Sequence, residues 1–359
     1  MEHMTAKEAA RRWSITQRRV AVLCAENRVD GAELLGNMWL IPKSTQKPFD
    51  GRVIRFEPPA DMAVKPFLKW AGGKSQILKD IRLKYPHGLG KTINKYAEPF
   101  VGGGAVLFDI LSRYKMQEVY ISDINQELIL TYIAIRDHLD ELLDVLKTLE
   151  RKYLQADENN RKEFYYANRD RFNVLKTSSN RSAELAALFI FLNRTCFNGL
   201  YRVNASGAFN VPQGNYKNPT ICNTANLLKV SEALQGVTIV CADFRKSHYF
   251  IDSKTFVYFD PPYRPLTATA SFTSYTEREF GDKEQAELAC FIDEMSKRGA
   301  YIVASNSDPK NIDSTDDFFE RLYAQHSITR INASRVINSV GASRGRISEL
   351  LICATAGGI

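Results

Sequence analysis

The stretch Thr255-Phe256-Val257-Tyr258-Phe259-Asp260-Pro261-Pro262-Tyr263 decides how the chain folds. Its apolar run, Thr255 to Phe259, reads as a strand. That strand delivers an acid, two prolines and an aromatic ring into a loop. The result is a rigid corner at the carboxyl end of a sheet strand, where open α/β sheets bind their ligands. The Asp260 carboxylate and the Pro261 carbonyl are two acceptors held close together beside the face of Tyr263. An exocyclic amine suits that set, because its two N–H groups donate while its flat ring stacks. Taken alone, the four residues would also serve as an ordinary turn.

Outward from that corner, β-like runs alternate with helical patterns. YAEPF (96–100) precedes GGGAVLFDILSRY (102–114), EVYISDI (118–124) precedes the long helical pattern 125–149, and TFVYF precedes EQAELACFIDEMSKR (284–298). Strands alternating with helices imply βαβ units and a mostly parallel sheet with helices on both faces. Residues from about 150 to 235 break the rhythm and read as an inserted helical, loop-rich subdomain.

Three further motifs fall at strand ends. Glu98-Pro99-Phe100-Val101-Gly102-Gly103-Gly104 is a glycine turn that lets a ligand approach the backbone before a helix. It is not a dinucleotide fingerprint, since residue 107 is Leu, and no GxxxxGK[ST] phosphate loop occurs. Asp123 ends the next strand, about 20 residues on, where an acid can bond a ribose diol. Cys241-Ala242-Asp243-Phe244 repeats the arrangement of an acid and an aromatic ring, suited to an adenine amine and ring face. Upstream, Lys69-Trp70-Ala71-Gly72-Gly73-Lys74 is a basic turn before a helix, able to hold a carboxylate through Lys74 and backbone N–H groups.

The first 45 residues form a separate small unit. Thr5-Ala6-Lys7-Glu8 is a capping-box helix start, and Thr16 caps a second helix that exposes Gln17, Arg18 and Arg19 at its start, as a DNA-recognition helix would. Asp30-Gly31, Gly36-Asn37 and the run Met38 to Pro42 complete a small β-wing. Residues 4–45 resemble the excisionase and MerR-like winged helix-turn-helix domain. Residues 46–63, with Pro48, Pro58 and Pro59, read as a linker.

The order KWAGGK, EPFVGGG, SDIN, an insert, ADF and DPPY resembles the D12-class adenine-N6 DNA methyltransferases, the DNA adenine methylase (Dam) family, over residues 64–355. The segment Asn193 to Asn204 followed by residues 207–212 is similar to that family's DNA-reading region. The resemblance implies a Rossmann-like α/β fold, an S-adenosylmethionine-dependent methyltransferase sheet spanning 64–359 with a DNA-recognition insert, plus the N-terminal helix-turn-helix. By the same resemblance, Trp70, Ala71, Gly72, Lys74, Glu98, Pro99, Phe100, Gly102, Gly104, Asp123, Asp243, Phe244 and Asp260 would hold the cofactor S-adenosylmethionine. Asp260, Pro261, Pro262 and Tyr263 would hold a target adenine flipped out of double-stranded DNA. Lys69, Arg194, Asn198, Gly199, Leu200, Arg202, Asn204 and Pro212 would contact that DNA. Arg18 and Arg19, with Arg344 and Arg346 in a basic C-terminal stretch, complete the DNA-facing set. The target site implied is GATC or another site containing GAT.

Composition agrees. Lys and Arg total 48 against 41 Asp and Glu, a net +7, with 44% hydrophobic residues. No acidic residue falls between Glu184 and Glu232, where Arg194, Arg202, Lys217 and Lys229 lie. Such a stretch fits a polyanion, although a solvated face would look similar. The longest apolar run, residues 185–192, is far below the ~20 residues of a membrane span. The first 13 residues lack the apolar core of a secretory signal. Six cysteines without CxxC spacing suit reduced thiols, and five isolated histidines imply no metal site. A cytoplasmic enzyme, monomeric in solution, is expected, of the kind found in restriction-modification; whether a companion restriction enzyme exists depends on neighbouring genes and not on this chain. Two other readings fit parts of the pattern: an RNA or protein amine methyltransferase of related fold, and a DNA-binding regulator with a decayed methylase body.

Overall fold

The computed structural model describes residues 3–13, 15–25, 29–36, 38–45, 63–70, 72–177, 182–264, 280–334 and 346–355. The chain divides into two compact units, Met1–Phe56 and Glu57–Ile359.

In the first unit, β1 (His3–Thr5) leads into α1 (Ala6–Trp13) and α2 (Gln17–Ala25), followed by the hairpin of β2 (Glu33–Leu35) and β3 (Met38–Pro42). The capping box closes in both directions: Thr5 N–H donates to Glu8 Oε2 at 2.7 Å, and Glu8 N–H donates to Thr5 Oγ1 at 3.3 Å. Thr16 Oγ1 likewise accepts from Arg19 N–H at 3.2 Å. Strand β1, which lies outside the sequence reading, pairs antiparallel with β3 and makes the sheet order β1-β3-β2. Ala9, Val20, Leu23 and Ile41 are fully buried between helices and sheet.

The second unit is built on seven strands: β4 (Lys95–Glu98), β5 (Glu118–Asp123), β6 (Thr238–Cys241), β7 (Thr255–Phe259), β8 (Tyr301–Ser307), β9 (Ser327–Ser334) and β10 (Arg346–Ala354). Their order is β6-β5-β4-β7-β8-β10-β9. Pairings from β6 through β8 are parallel, and β10 runs antiparallel to both its neighbours. Strand β7 is central and all five of its residues are buried, which is why its sequence is an unbroken apolar run rather than an alternation.

Alternate residues of each strand feed two cores. Tyr96, Ile121, Phe256 and Tyr258 face one, shared with α4 (Ala105–Arg113), α5 (Gln126–Asp137), α6 (Leu139–Gln155), α7 (Glu158–Thr177), α8 (Ala183–Thr195) and α9 (Thr224–Ala233). Ala97, Tyr120, Val257 and Phe259 face the other, shared with α10 (Asp282–Lys297) and α11 (Phe318–Leu322). The helical pattern of 125–149 is two helices, broken at His138, whose φ of −134° ends α5. Segment 150–235 contributes Leu188, Phe191 and Val211 to the first core, so it is packed into the sheet's helical layer rather than standing apart. Among the described residues, no helix is long and apolar enough to cross a membrane.

Candidate active site

The chain leaves β4 for β5 on one side, while β7 pairs with β4 on the other. Strand order therefore reverses at β4 and β7, and the carboxyl ends there flank the crevice that open α/β sheets use for ligands. Asp260 stands at that point, one residue past β7.

Two donors converge on one oxygen of Asp260. Lys74 Nζ lies 2.7 Å from Oδ1, and Ser305 Oγ donates to the same oxygen at 2.9 Å. Ser305 in turn accepts from the buried Tyr258 hydroxyl at 2.9 Å, giving a chain Tyr258 → Ser305 → Asp260. Oδ2 has no protein donor among the described residues. Burial pushes the Asp260 carboxyl above its ordinary range, opposed by the charge of Lys74 and the bonds from Lys74 and Ser305. Lys74, expected at a ligand carboxylate, is itself buried and is taken up here by Asp260 and by the Gly72 carbonyl at 2.5 Å. Its ammonium also sits 4.6 Å above the Tyr263 ring. The Tyr263 hydroxyl donates to Glu349 Oε2 of β10 at 2.7 Å, which fixes the ring beside Asp260. Pro261 is buried, and the Pro262 carbonyl accepts from Gln285 of α10 at 3.0 Å.

Glu98, expected to face a ligand, is 2% exposed and accepts from Tyr96 Oη at 2.7 Å. Burial raises its pKa well above the usual carboxyl range, and the nearby Asp260 adds to the shift. It lies beneath the site, beside the buried Pro99.

The glycine turn follows. Gly102 and Gly104 adopt φ of +47° and +71°, open to glycine and strained for other residues. A Cβ on Gly102 would lie 2.8 Å from Trp70, and one on Gly104 would lie 2.5 Å from the Tyr132 hydroxyl. Trp70 thus packs directly on the turn. Gly102 N–H donates to Asp123 Oδ2 at 3.2 Å and Asn125 N–H to Oδ1 at 2.9 Å, so the carboxylate is aimed by backbone alone. Phe100 stacks on the buried Phe244 at 5.5 Å, with Phe280 edge-on to Phe100 at 5.7 Å, forming an aromatic cluster in which Phe100 is half-buried. Asp243 is exposed and holds Arg245 through its backbone N–H and guanidinium.

The 193–212 segment packs against Lys69 and Trp70. Asn193 accepts from Lys69 N–H at 2.8 Å and donates to the Lys69 and Gly199 carbonyls at 2.7 and 2.9 Å. Lys69 Nζ lies 4.1 Å over the Tyr216 ring. Arg194 turns inward to the Phe67 carbonyl at 2.6 Å, and burial lowers its pKa. Arg202 is exposed and held by Asn210 Oδ1 at 2.8 Å. Asn204 closes the turn between Val203 and Phe209 by accepting from Ser206 and Ala208 N–H. Asn198 has φ +54°, and beside it Phe197 is 51% exposed. The Pro212 carbonyl accepts from Phe197 N–H, and Leu200 is half-buried. Arg18 is exposed in the first unit and Arg19 half-buried. Ala71, Arg344 and the Arg346 side chain lie outside the described residues.

The family model for D12-class N6 adenine-specific DNA methyltransferases matches residues 70–337. The chain belongs to that family. Type II methyltransferase M.MjaIII of Methanocaldococcus jannaschii is 50% identical over 293 residues, covering 81% of this chain and 99% of that protein. Type II methyltransferase M1.LlaDCHI of Lactococcus lactis subsp. cremoris is 35% identical, covering 80% and 95%. The DNA adenine methylase of Escherichia coli is 36% identical, covering 79% and 93%. The seven-stranded, mostly parallel sheet is consistent with a methyltransferase fold. This D12-class chain is thus an adenine-specific DNA methyltransferase, and the RNA, protein and regulator readings are not favoured.

Several residues of the D12-class site escape a reading by motif. Glu349 of β10 acts on Tyr263 from another strand, Tyr258 reaches Asp260 only through Ser305 of β8, and Tyr201 and Glu127 join the 193–212 segment to α5. Phe197 carries a signal in the sequence, an aromatic residue in an acid-free, Asn-rich loop.

Proposed function

We propose that this enzyme uses S-adenosylmethionine to methylate N6 of an adenine flipped out of duplex DNA, within GATC or another site containing GAT. The observation that carries the reading is the asymmetry of Asp260: one oxygen is saturated by Lys74 and Ser305, and Oδ2 remains for an incoming amine beside an anchored Tyr263 ring.

The cradle at β4, β5 and β6 fits the cofactor in its chemistry. Asp123 supplies a carboxylate for a ribose diol, Phe100 and Phe244 an apolar wall for a purine, and Asp243 an acceptor for an exocyclic amine. When bound, S-adenosylmethionine supplies an electrophilic methyl group.

Flipping the base costs ~ a few kcal/mol of stacking and pairing, and a stack on Tyr263 recovers ~1–3 kcal/mol. Asp260 Oδ2 and the Pro261 carbonyl accept the two N6 hydrogens and stabilise the positive charge that develops on that nitrogen. Lys74 opposes the upward pull of burial on the Asp260 carboxyl and so favours its ionised form. Phe197 is an exposed apolar wedge suited to the gap in the stack, and Arg202 and Lys69 are the donors for base edges. The first unit, read as a winged helix-turn-helix, adds a second DNA contact through Arg18 and Arg19.

Incubating the protein with tritiated S-adenosylmethionine and duplex DNA, RNA or protein tests the reading. Label should enter duplex DNA as N6-methyladenine, and the Asp260→Ala variant should lose transfer while still binding DNA. Near-normal turnover by that variant would sink the role assigned to Asp260.

A further inference from the structure

One side chain, Tyr201, touches both the DNA-reading segment and the wall of the cofactor cradle. It directly precedes the exposed Arg202 and is itself 5% exposed. Its ring stacks on Trp70, with centroids 6.1 Å apart and planes 22° from parallel, and Trp70 packs on the Gly102 turn. Its hydroxyl donates to Glu127 Oε2 at 3.0 Å and accepts from Lys176 Nζ at 3.1 Å, while Lys176 pairs with Glu127 Oε1 at 3.0 Å. Glu127 sits in the first turn of α5, whose capping residue Asn125 bonds Asp123. Packing alone does not call for the hydroxyl. Phe would fill the same space without bringing a carboxylate and an ammonium into a half-buried site.

Resting on the function proposed above, we propose that Tyr201 is a positioning residue that couples DNA engagement at Arg202 to the cofactor wall. A shift of Arg202 on meeting its base moves the Tyr201 ring against Trp70 and pulls Glu127 beside Asp123. Cofactor and target duplex then bind cooperatively, and site discrimination is expressed in the rate of transfer beyond the affinity for DNA. Coupling of this kind is reciprocal, so either ligand reports it.

The test uses the full chain, S-adenosylhomocysteine, a duplex carrying the site mapped from methylated genomic DNA, and the same duplex with one base pair changed. In the wild type, the target duplex should tighten S-adenosylhomocysteine about fivefold or more, and the altered duplex should not. Tyr201→Phe keeps the ring and removes the hydroxyl. It should cut that tightening to below about twofold and lower kcat on the target with little change in KM for DNA. Glu127→Gln, which retains an acceptor, should keep part of the coupling. Wild-type coupling in Tyr201→Phe, or equal losses on both duplexes, would overturn the assignment while leaving the proposed function standing. A wild type that transfers no methyl group to any duplex would overturn the function itself.

Discussion

Ser305 holds Asp260 with one bond and relieves Tyr258 with another, so its removal should be costly in two ways that a second substitution separates. Ser305 and Tyr258 are both fully buried. Ser305→Ala deletes a hydrogen bond to a carboxylate, ~1.5–3 kcal/mol, and strands the Tyr258 hydroxyl, which costs ~1–3 kcal/mol. A loss of ~2–4 kcal/mol is expected once the two effects overlap, and Tm should fall by ~1–2 °C for each kcal/mol in a unit of this size. Adding Tyr258→Phe removes the stranded hydroxyl, so the double variant should be no less stable than Ser305→Ala, with a favourable coupling of ~1–2 kcal/mol. Transfer behaves differently. The carboxylate lacks its Ser305 donor and keeps only Lys74 in both backgrounds, so single-turnover rates should fall ~10-fold or more in each and not recover. Urea melts and rapid-quench transfer on the same four proteins read both quantities. A double variant clearly less stable than Ser305→Ala, or one that regains its rate, would refute the bonding chain.

Further expectations follow from the same geometry. Lys74 lowers the Asp260 pKa against the effect of burial, so Lys74→Met should move the acid limb of kcat/KM to higher pH, as read from a pH–rate profile. Glu98 has a folded-state pKa raised by burial; the folded state binds the extra proton, and stability falls as pH rises above the unfolded value. Glu98→Gln should flatten that fall, so its advantage in Tm over wild type should grow with pH. Arg202→Ala should narrow the ratio of rates between the target and one-base variants, by up to ~1–3 kcal/mol for a bidentate contact; unchanged ratios would remove Arg202 from the reading set.

The legible part of this site is the local part. Asp260, the Gly102–Gly104 turn and Asp123 each sit at the end of a strand whose apolar run and following helix announce the turn in contiguous residues. The supports come from afar: Ser305 is 45 residues from Asp260, Glu349 is 86 from Tyr263, and Tyr201 is 74 from Glu127. Sheet register brings the first two together, since β10 pairs Leu351 with Ser305 and Glu349 with Ser307. Nothing in either segment states that pairing. The inward turn of Lys74 escapes notice for the same reason, because its partner Asp260 lies far along the chain and is brought to it by the fold.

The antiparallel return of β10 has a consequence in time. The Tyr263 ring, assigned above to the target base, is tethered by Glu349, on the last strand in chain order among the described residues. A growing chain that does not yet include β10 carries Asp260, the glycine turn and the 193–212 segment, but its Tyr263 lacks the bond to Glu349. On the proposed function, the rate of transfer should therefore rise once β10 has paired with β8 and brought Glu349 to Tyr263.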